Sequence, residues 1–181
     1  MKPIEIIQKF YQPGSKGYAT LVHHSEQVTQ KALEIAEKVP HLEPDRDFIA
    51  EAAMLHDIGI VMTAAETLGC NGQHPYLMHG TLGREMLDEK DLPRHALVCE
   101  RHVGVGISTA DIVNHALPLP VRDMRPVSIE EQIVCYADKF FSKNGNGNGR
   151  EKSVAEVLKE IRVYGPDKVT QFKSWLKMFT N

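Results

Sequence analysis

Apolar residues recur along this chain at the three- and four-residue spacing of amphipathic α-helices. This spacing predicts a helix over about 21–39 with His24 on its apolar face, and another over about 45–57 with His56 on its inner stripe. Further helices are expected over about 3–11, 78–88, 92–102, 109–117, 129–141, 151–163 and 167–179. There is no convincing β-hairpin signal and no internal repeat, so the pattern predicts an all-α helical bundle.

Local signals support these helix boundaries and mark the connections between them. Ser108 with Asp111, and Ser128 with Glu131, have the spacing of capping boxes, which open helices. Glycines and a proline within residues 62–77 predict an irregular segment. The alternating Asn and Gly residues over 144–149 predict a mobile surface loop rather than a domain boundary.

The length of 181 residues suits one domain, 1–181. Its motif-bearing core is expected over about 20–143, with C-terminal helices over about 151–179 packing on it through an apolar stripe. The aromatic part of that stripe is Tyr164, Phe172, Trp175 and Phe179. A contact between two copies of the chain in a homodimer is the alternative role for this stripe.

Charge and cysteine content exclude several classes of protein. The net charge of −3 gives no general attraction to a nucleic acid polymer or an anionic membrane, and no apolar run reaches transmembrane length. Cys70, Cys99 and Cys135 form no CxxC pair, which argues against a disulfide framework and a zinc finger. We therefore expect buried, reduced thiols in a cytoplasmic protein.

The dipeptide His56-Asp57 carries the strongest chemical signal. It ends an apolar run that contains no Lys or Arg, and an ionised carboxylate among aliphatic side chains needs a compensating positive charge. His24 and Asp138 lie on the apolar stripes of two other predicted helices. Imidazole and carboxylate ligands together suit a divalent transition metal such as Fe, Mn, Zn, Co or Ni.

The ordered pattern His24, His56-Asp57, Asp138 resembles that of the HD-domain metal-dependent phosphohydrolases, and Leu55-His56-Asp57-Ile58-Gly59 resembles their HDIG subset. The resemblance covers about residues 20–143. It implies an all-α bundle in which His24, His56, Asp57 and Asp138 hold one metal ion. Ile60 departs from the pattern, because the subset often has a lysine there that can contact phosphate.

His79 and His102 resemble the additional ligands of binuclear members of this family. The resemblance then implies one or two metal ions per chain, with Asp57 bridging to a second ion. In mononuclear members, the equivalent histidines line the pocket and contact phosphate instead. His23 is expected to face solvent or to stand behind the ligands. The remaining histidines with no supporting context, His41, His95 and His115, are expected at the surface.

The resemblance further implies a hydrolase in which metal-activated water attacks the phosphorus of a small phosphorylated substrate, most plausibly a nucleotide. Asp57 would then be central to catalysis, with Lys139 and Arg101 as phosphate-contacting cations and Lys143 and Arg84 as weaker candidates. Cyclic dinucleotides are disfavoured, because no Gly-Tyr-Pro element follows the central ligands. Three alternatives stay open: a di-iron oxygenase, a mononuclear nucleoside 5′-monophosphatase, and a regulatory module with residual metal binding.

Overall fold

A computed structural model describes residues 1–143 and 149–180. Within these ranges the chain forms nine α-helices, joined by short 3-10 turns and one two-stranded sheet. In chain order the helices are α1 (Pro3–Ile7), α2 (Lys16–Lys38), α3 (Arg46–Leu55), α4 (His79–Asp88), α5 (Pro93–Arg101), α6 (Thr109–Asn114), α7 (Ile129–Asp138), α8 (Val154–Ile161) and α9 (Pro166–Thr180). The predicted all-α fold class is confirmed. Apart from Gly149, the predicted Asn/Gly loop lies outside the described residues.

Serine side chains open several of these helices by accepting a hydrogen bond from a backbone N–H in the first turn. The box predicted at Ser108 is complete, because the Asp111 carboxylate also accepts from the Ser108 N–H. The box predicted at Ser128 is only half formed. Ser128 accepts from the Glu131 N–H, but the Glu131 carboxylate accepts from the Val127 N–H at 2.7 Å instead.

Two large apolar clusters form most of the interior, and helices α2, α3 and α5 contribute to both of them. A third, small cluster consists of Ile112, Leu119 and Met124. The larger cluster joins α2, α3 and α7 to the C-terminal helices α8 and α9. Phe172, Trp175 and Phe179 of α9 are fully buried there, and Tyr136 of α7 stacks on Phe172 with ring centroids 5.0 Å apart. Tyr164, expected on the same stripe, is instead 70% exposed because it lies in the turn before α9.

The segment predicted to be irregular contains the sheet, with strands β1 (Ala64–Ala65) and β2 (Cys70–Asn71). The strands pair antiparallel, with Ala65 opposite Cys70. Gly69 turns the chain between them with a φ of 83°, in the left-handed region that glycine adopts without strain. A two-residue pairing is too short to show an alternating pattern in the sequence, which is why the strands were not predicted.

None of the helices in residues 1–143 and 149–180 is long and apolar enough to cross a membrane. The three cysteines are unpaired and buried, as expected of reduced thiols.

Candidate metal centre

Six imidazole and carboxylate side chains, supplied by five segments of the chain, meet in the interior between the two apolar clusters. They are His24 in α2, His56 and Asp57 directly after α3, His79 at the start of α4, His102 directly after α5, and Asp138 at the end of α7. Each is buried, with Asp138 the most exposed at 6%. These are the six side chains that the sequence nominated.

Helix packing explains why positions so far apart in sequence come together. Helix α2 packs along α3 and α7, and α4 packs along α5, so that four helix ends and the middle of α2 converge. Gly59, in the turn after α3, allows α4 to lie close to that turn. A Cβ atom at Gly59 would lie 2.1 Å from the carbonyl oxygen of His79 and 2.4 Å from the Gly83 nitrogen. The glycine after His56-Asp57 therefore allows α4, and with it His79, to reach the cluster.

Three of the four histidines are oriented by the same kind of local hydrogen bond. The Nδ1 atom of each lies close to the carbonyl oxygen three residues earlier: His56 to Ala53 at 2.6 Å, His79 to Tyr76 at 2.7 Å and His102 to Cys99 at 2.7 Å. A carbonyl only accepts, so Nδ1 carries the proton and donates it. The Nε2 atom of each faces the cluster, and in the neutral imidazole it carries the lone pair that binds a metal.

The first group of possible ligands consists of His24, His56, Asp57 and Asp138, with one donor atom of each within 4.8 Å of the others. The Nε2 atom of His24 lies 2.9 Å from Asp138 Oδ1 and 3.3 Å from Asp57 Oδ2. The Nε2 atom of His56 lies 3.2 Å from Asp57 Oδ2 and 3.5 Å from Asp138 Oδ1. Both imidazoles therefore face the same two carboxylate oxygens.

The second group consists of Asp57, His79 and His102. In this group the histidines face the other carboxylate oxygen of Asp57. Asp57 Oδ1 lies 3.4 Å from His79 Nε2 and 3.2 Å from His102 Nε2. The two Nε2 atoms are 3.1 Å apart. Asp57 thus belongs to both groups and presents one oxygen to each.

The ionisation of Asp57, His79 and His102 suits cation binding. Burial raises the pKa of Asp57, but the positive charges of His56 and Lys143 outweigh it and hold that pKa well below its usual range. Burial lowers the pKa of His79 to about 3 and also lowers the pKa of His102, so both are neutral at pH 7. Burial acts to lower the pKa of His56 as well, but the charge of Asp57 outweighs it and raises that pKa to about 9, so a metal ion would have to displace a proton from His56 Nε2.

A divalent metal ion fits this donor set. Both oxygens of Asp57 and the Nε2 atom of His56 are buried polar atoms that make no hydrogen bond of good geometry within the described residues. Leaving several such atoms unsatisfied in one place is costly, and coordination of a cation resolves it. Neutral imidazoles and ionised carboxylates are a common set for Fe, Mn, Zn, Co and Ni.

Lys139 and Lys143 both reach the cluster, but they contact different atoms. The Lys139 ammonium lies 2.7 Å from Asp138 Oδ2 and donates to the His102 carbonyl oxygen at 3.3 Å. The Lys143 ammonium lies 2.8 Å from Asp57 Oδ2 and 3.6 Å from Asp138 Oδ1. Lys143 is only a weak candidate in the sequence, yet its ammonium is the one that lies beside Asp57.

The two arginines nominated as phosphate contacts are engaged with glutamates. Arg101 donates from Nη1 to both carboxylate oxygens of Glu131, at 3.0 and 2.9 Å. Arg84 pairs with Glu100, which is itself buried. Over residues 1–143 and 149–180, no contact links either arginine to the six clustered side chains, because their helices turn these side chains toward α7 and α5.

Tyr76 belongs to the site although no pattern in the sequence points to it. Its ring stacks on His79 with centroids 4.8 Å apart, and its carbonyl oxygen orients His79. Burial raises the pKa of its hydroxyl to about 12, although the nearby Lys143 ammonium lowers it. The ring is still 40% exposed, so Tyr76 marks the mouth of the site. No motif signals such a residue, because its role depends on the turn before α4.

One histidine expected at the surface is buried. His95 is only 8% exposed, and it lies edge-on to Phe48 with its Nε2 atom 3.3 Å from a carboxylate oxygen of Glu51. The expectation was wrong because α5 packs on α3 at this point. His23, His41 and His115 are exposed, as expected.

Comparison with known proteins gives a family and several relatives. The sequence model of the HD domain matches residues 21–142. In the solved structure of the HD domain of the L. monocytogenes phosphodiesterase PgpH, the fold is similar, with a TM-score of 0.51 and 14% identity over 93% of both chains. The six clustered residues all lie within the matched segment 21–142.

Three curated proteins align with most of this chain. A tRNA (cytidine(56)-2′-O)-methyltransferase of Picrophilus torridus is 34% identical over 123 residues, which is 67% of this chain and 31% of that protein. The corresponding enzyme of Thermoplasma volcanium is 32% identical over 132 residues, 73% of this chain and 34% of that protein. An uncharacterised protein of Methanocaldococcus jannaschii is 33% identical over 123 residues, covering 66% of this chain and 65% of that protein. The chain thus spans about a third of both methyltransferases.

Proposed function

Because this chain belongs to the HD-domain family, we propose that it is a metal-dependent phosphohydrolase that acts on a small phosphorylated molecule, most plausibly a nucleotide. We propose His24, His56, Asp57 and Asp138 as ligands of one divalent ion, and Asp57, His79 and His102 as ligands of a second. The ions belong to the set Fe, Mn, Zn, Co and Ni.

One observation carries this proposal: Asp57 presents a different carboxylate oxygen to each ligand group. A carboxylate shared in this way holds two cations close together, which is the arrangement used for displacement at phosphorus. A single-ion site would leave no such role for Asp57 Oδ1, which both His79 and His102 face.

A divalent ion bound there would lower the pKa of a coordinated water from 15.7 toward about 7 and polarise a phosphoryl oxygen. The chain itself does the rest by positioning and charge. Three backbone carbonyls fix the imidazoles with Nε2 inward. Lys139 holds Asp138 through Oδ2 and so leaves Oδ1 turned toward His24. Burial of all six side chains keeps bulk water away from their charges, which strengthens each interaction.

The same donor set would also suit a di-iron oxygenase, and oxygen dependence separates the two activities. We expect hydrolysis to proceed without O₂ and with Mn or Co, which an iron-dependent oxygenase would not support. The mononuclear alternative, a nucleoside 5′-monophosphatase, would need only the first ligand group.

The two methyltransferase relatives favour a second candidate, in which this chain acts on or beside RNA. Each of them is about three times as long as the segment that aligns with this chain, so the named activity can reside in the part that has no counterpart here. A chain with a net charge of −3 has no general attraction for tRNA, and we therefore rank this candidate second. A gel-shift titration with tRNA transcripts tests it.

The experiment that tests the leading proposal is a hydrolysis screen of phosphomonoesters, nucleotides and dinucleotides with each metal added separately, in air and under anaerobic conditions. We expect turnover of at least one phosphorylated compound in both atmospheres, and its loss on chelation. Turnover that requires both iron and O₂ would instead favour the oxygenase. Absence of turnover with every metal and compound would leave the regulatory module as the better account.

A further inference from the structure

We propose that Lys143 is the substrate-phosphate cation of this site and that it becomes available when a metal ion takes its present place on Asp57. This inference rests on the proposed function and specifies which side chain meets the substrate. It replaces Lys139 and Arg101, the cations nominated from the sequence, in that role.

Lys143 contacts the carboxylate oxygens at which a metal ion would bind. Its ammonium lies 2.8 Å from Asp57 Oδ2 and 3.6 Å from Asp138 Oδ1. These are the same two oxygens that face Nε2 of His24 and Nε2 of His56. An ammonium and a divalent cation on the same oxygens repel each other, so binding of the ion displaces Lys143. The four-carbon stem of lysine gives the ammonium several alternative positions.

Lys139 differs from Lys143 in the direction from which it approaches. Its ammonium contacts Asp138 through Oδ2, on the side away from His24, and also donates to the His102 carbonyl. These two partners are compatible with an ion on Oδ1, so binding of the ion gives Lys139 no reason to move. Lys139 is therefore a positioning residue for Asp138, and it is not free to meet the substrate.

Little space is left around Asp57 while Lys143 stays in place. The cavity bordered by Thr20, His24, Asp57 and Lys143 has a volume of about 10 Å³. That is room for roughly one water molecule and not for a phosphate group. A phosphate can approach Asp57 from this side only after the Lys143 side chain has moved.

Tyr76 reaches from the cluster to the surface. Its ring stacks on His79, and the residue as a whole is 40% exposed. Lys143 is close enough to influence the ionisation of the Tyr76 hydroxyl. Lys143 therefore lies near the exposed face at which a substrate would arrive.

Isothermal titration of the Mn²⁺-loaded protein with inorganic phosphate tests the assignment, with Lys143→Met and Lys139→Met as variants that remove the same charge. We expect Lys143→Met to weaken phosphate binding about tenfold or more, as befits the loss of one charge-assisted hydrogen bond, and Lys139→Met to change it less than about threefold. Lys143→Arg should retain binding within about threefold, because it keeps the charge.

A second titration starts from the metal-free proteins and adds Mn²⁺. Lys143→Met should bind the ion about threefold or more tightly than the unchanged protein, because the competing cation is gone, whereas Lys139→Met should bind it no more tightly. Unchanged phosphate affinity in Lys143→Met, or an equal gain of Mn²⁺ affinity in both variants, overturns the assignment. Failure of the proposed function is a different result: phosphate binds as described, but no phosphorylated compound is hydrolysed.

Discussion

The Nε2 atom of His102 lies 3.2 Å from Oδ1 of Asp57, on the opposite side of the carboxylate from His24 and His56. This relationship divides six buried side chains into two groups that share one aspartate. It is the reason to expect two metal ions here rather than one.

Asp57→Ala should remove both metal ions, because it deletes a ligand from each group. We expect metal affinity to fall by more than about 100-fold, since even changes behind the ligands cost roughly 10–100-fold. Elemental analysis of the purified variant checks this result. Circular dichroism of the same sample checks that the variant is folded, because losing Asp57 leaves the charges of His56 and Lys143 without their partner. Retention of either ion at full occupancy would show that Asp57 is not shared.

His102→Ala should lower the metal content from about two ions to about one per chain, because only the second group loses a ligand. His24→Ala should also leave about one, but from the other group. His115→Ala is the matched control, since His115 is exposed and lies outside both groups. Equal metal content in all three variants would contradict the division into two groups.

Gly59→Ala should destabilise the protein by more than about 3 kcal/mol, because the new methyl group would meet backbone atoms that cannot yield. The nearest are the His79 carbonyl oxygen at 2.1 Å and the Gly83 nitrogen at 2.4 Å. Gly83→Ala is a milder comparison, since its Cβ would lie 3.2 Å from both the Cys99 Cβ and the Gly59 nitrogen. Urea unfolding of both variants measures the difference. A Gly59→Ala protein as stable as the Gly83→Ala protein would show that α4 does not approach this closely.

Arg101→Met should affect stability rather than chemistry. The Arg101 guanidinium donates to both oxygens of Glu131, so its loss should cost about 1.5–3 kcal/mol of unfolding free energy. At a temperature where the variant is folded, kcat with the best substrate should stay within about twofold of the unchanged protein. A tenfold loss of kcat at an unaltered melting temperature would return Arg101 to the role in phosphate contact that the sequence suggested.

Helix periodicity was enough to predict the all-α fold and the nine helices of the described residues, because each helix buries one apolar face. Most of these helices also begin at a side-chain cap. The histidine and aspartate pattern led to the six clustered side chains for a related reason. A polar side chain on the apolar face of a helix is buried when that face packs against its neighbours. Several such side chains in one domain are therefore expected to meet in its interior.

Side chains whose positions depend on tertiary packing were not predictable in this way. Lys143 follows α7 in an irregular segment, so helix periodicity does not predict where its side chain points. In the structure its ammonium lies beside Asp57. His95 lacks a motif and is buried only because α5 packs on α3. The sequence suggests that Gly59 ends a helix. Its tighter requirement is that the backbone of α4 leaves no room for a Cβ atom there, and no local sequence pattern reveals this contact.

Anomalous diffraction from crystals grown with Mn²⁺ shows whether Asp57 joins two metal ions. We expect two anomalous peaks per chain, one among His24, His56, Asp57 and Asp138 and the other among Asp57, His79 and His102. Each ion should contact a different oxygen of Asp57. A single peak, or side chains drawn apart with no peak among them, would mean that Asp57 is not shared between two ions.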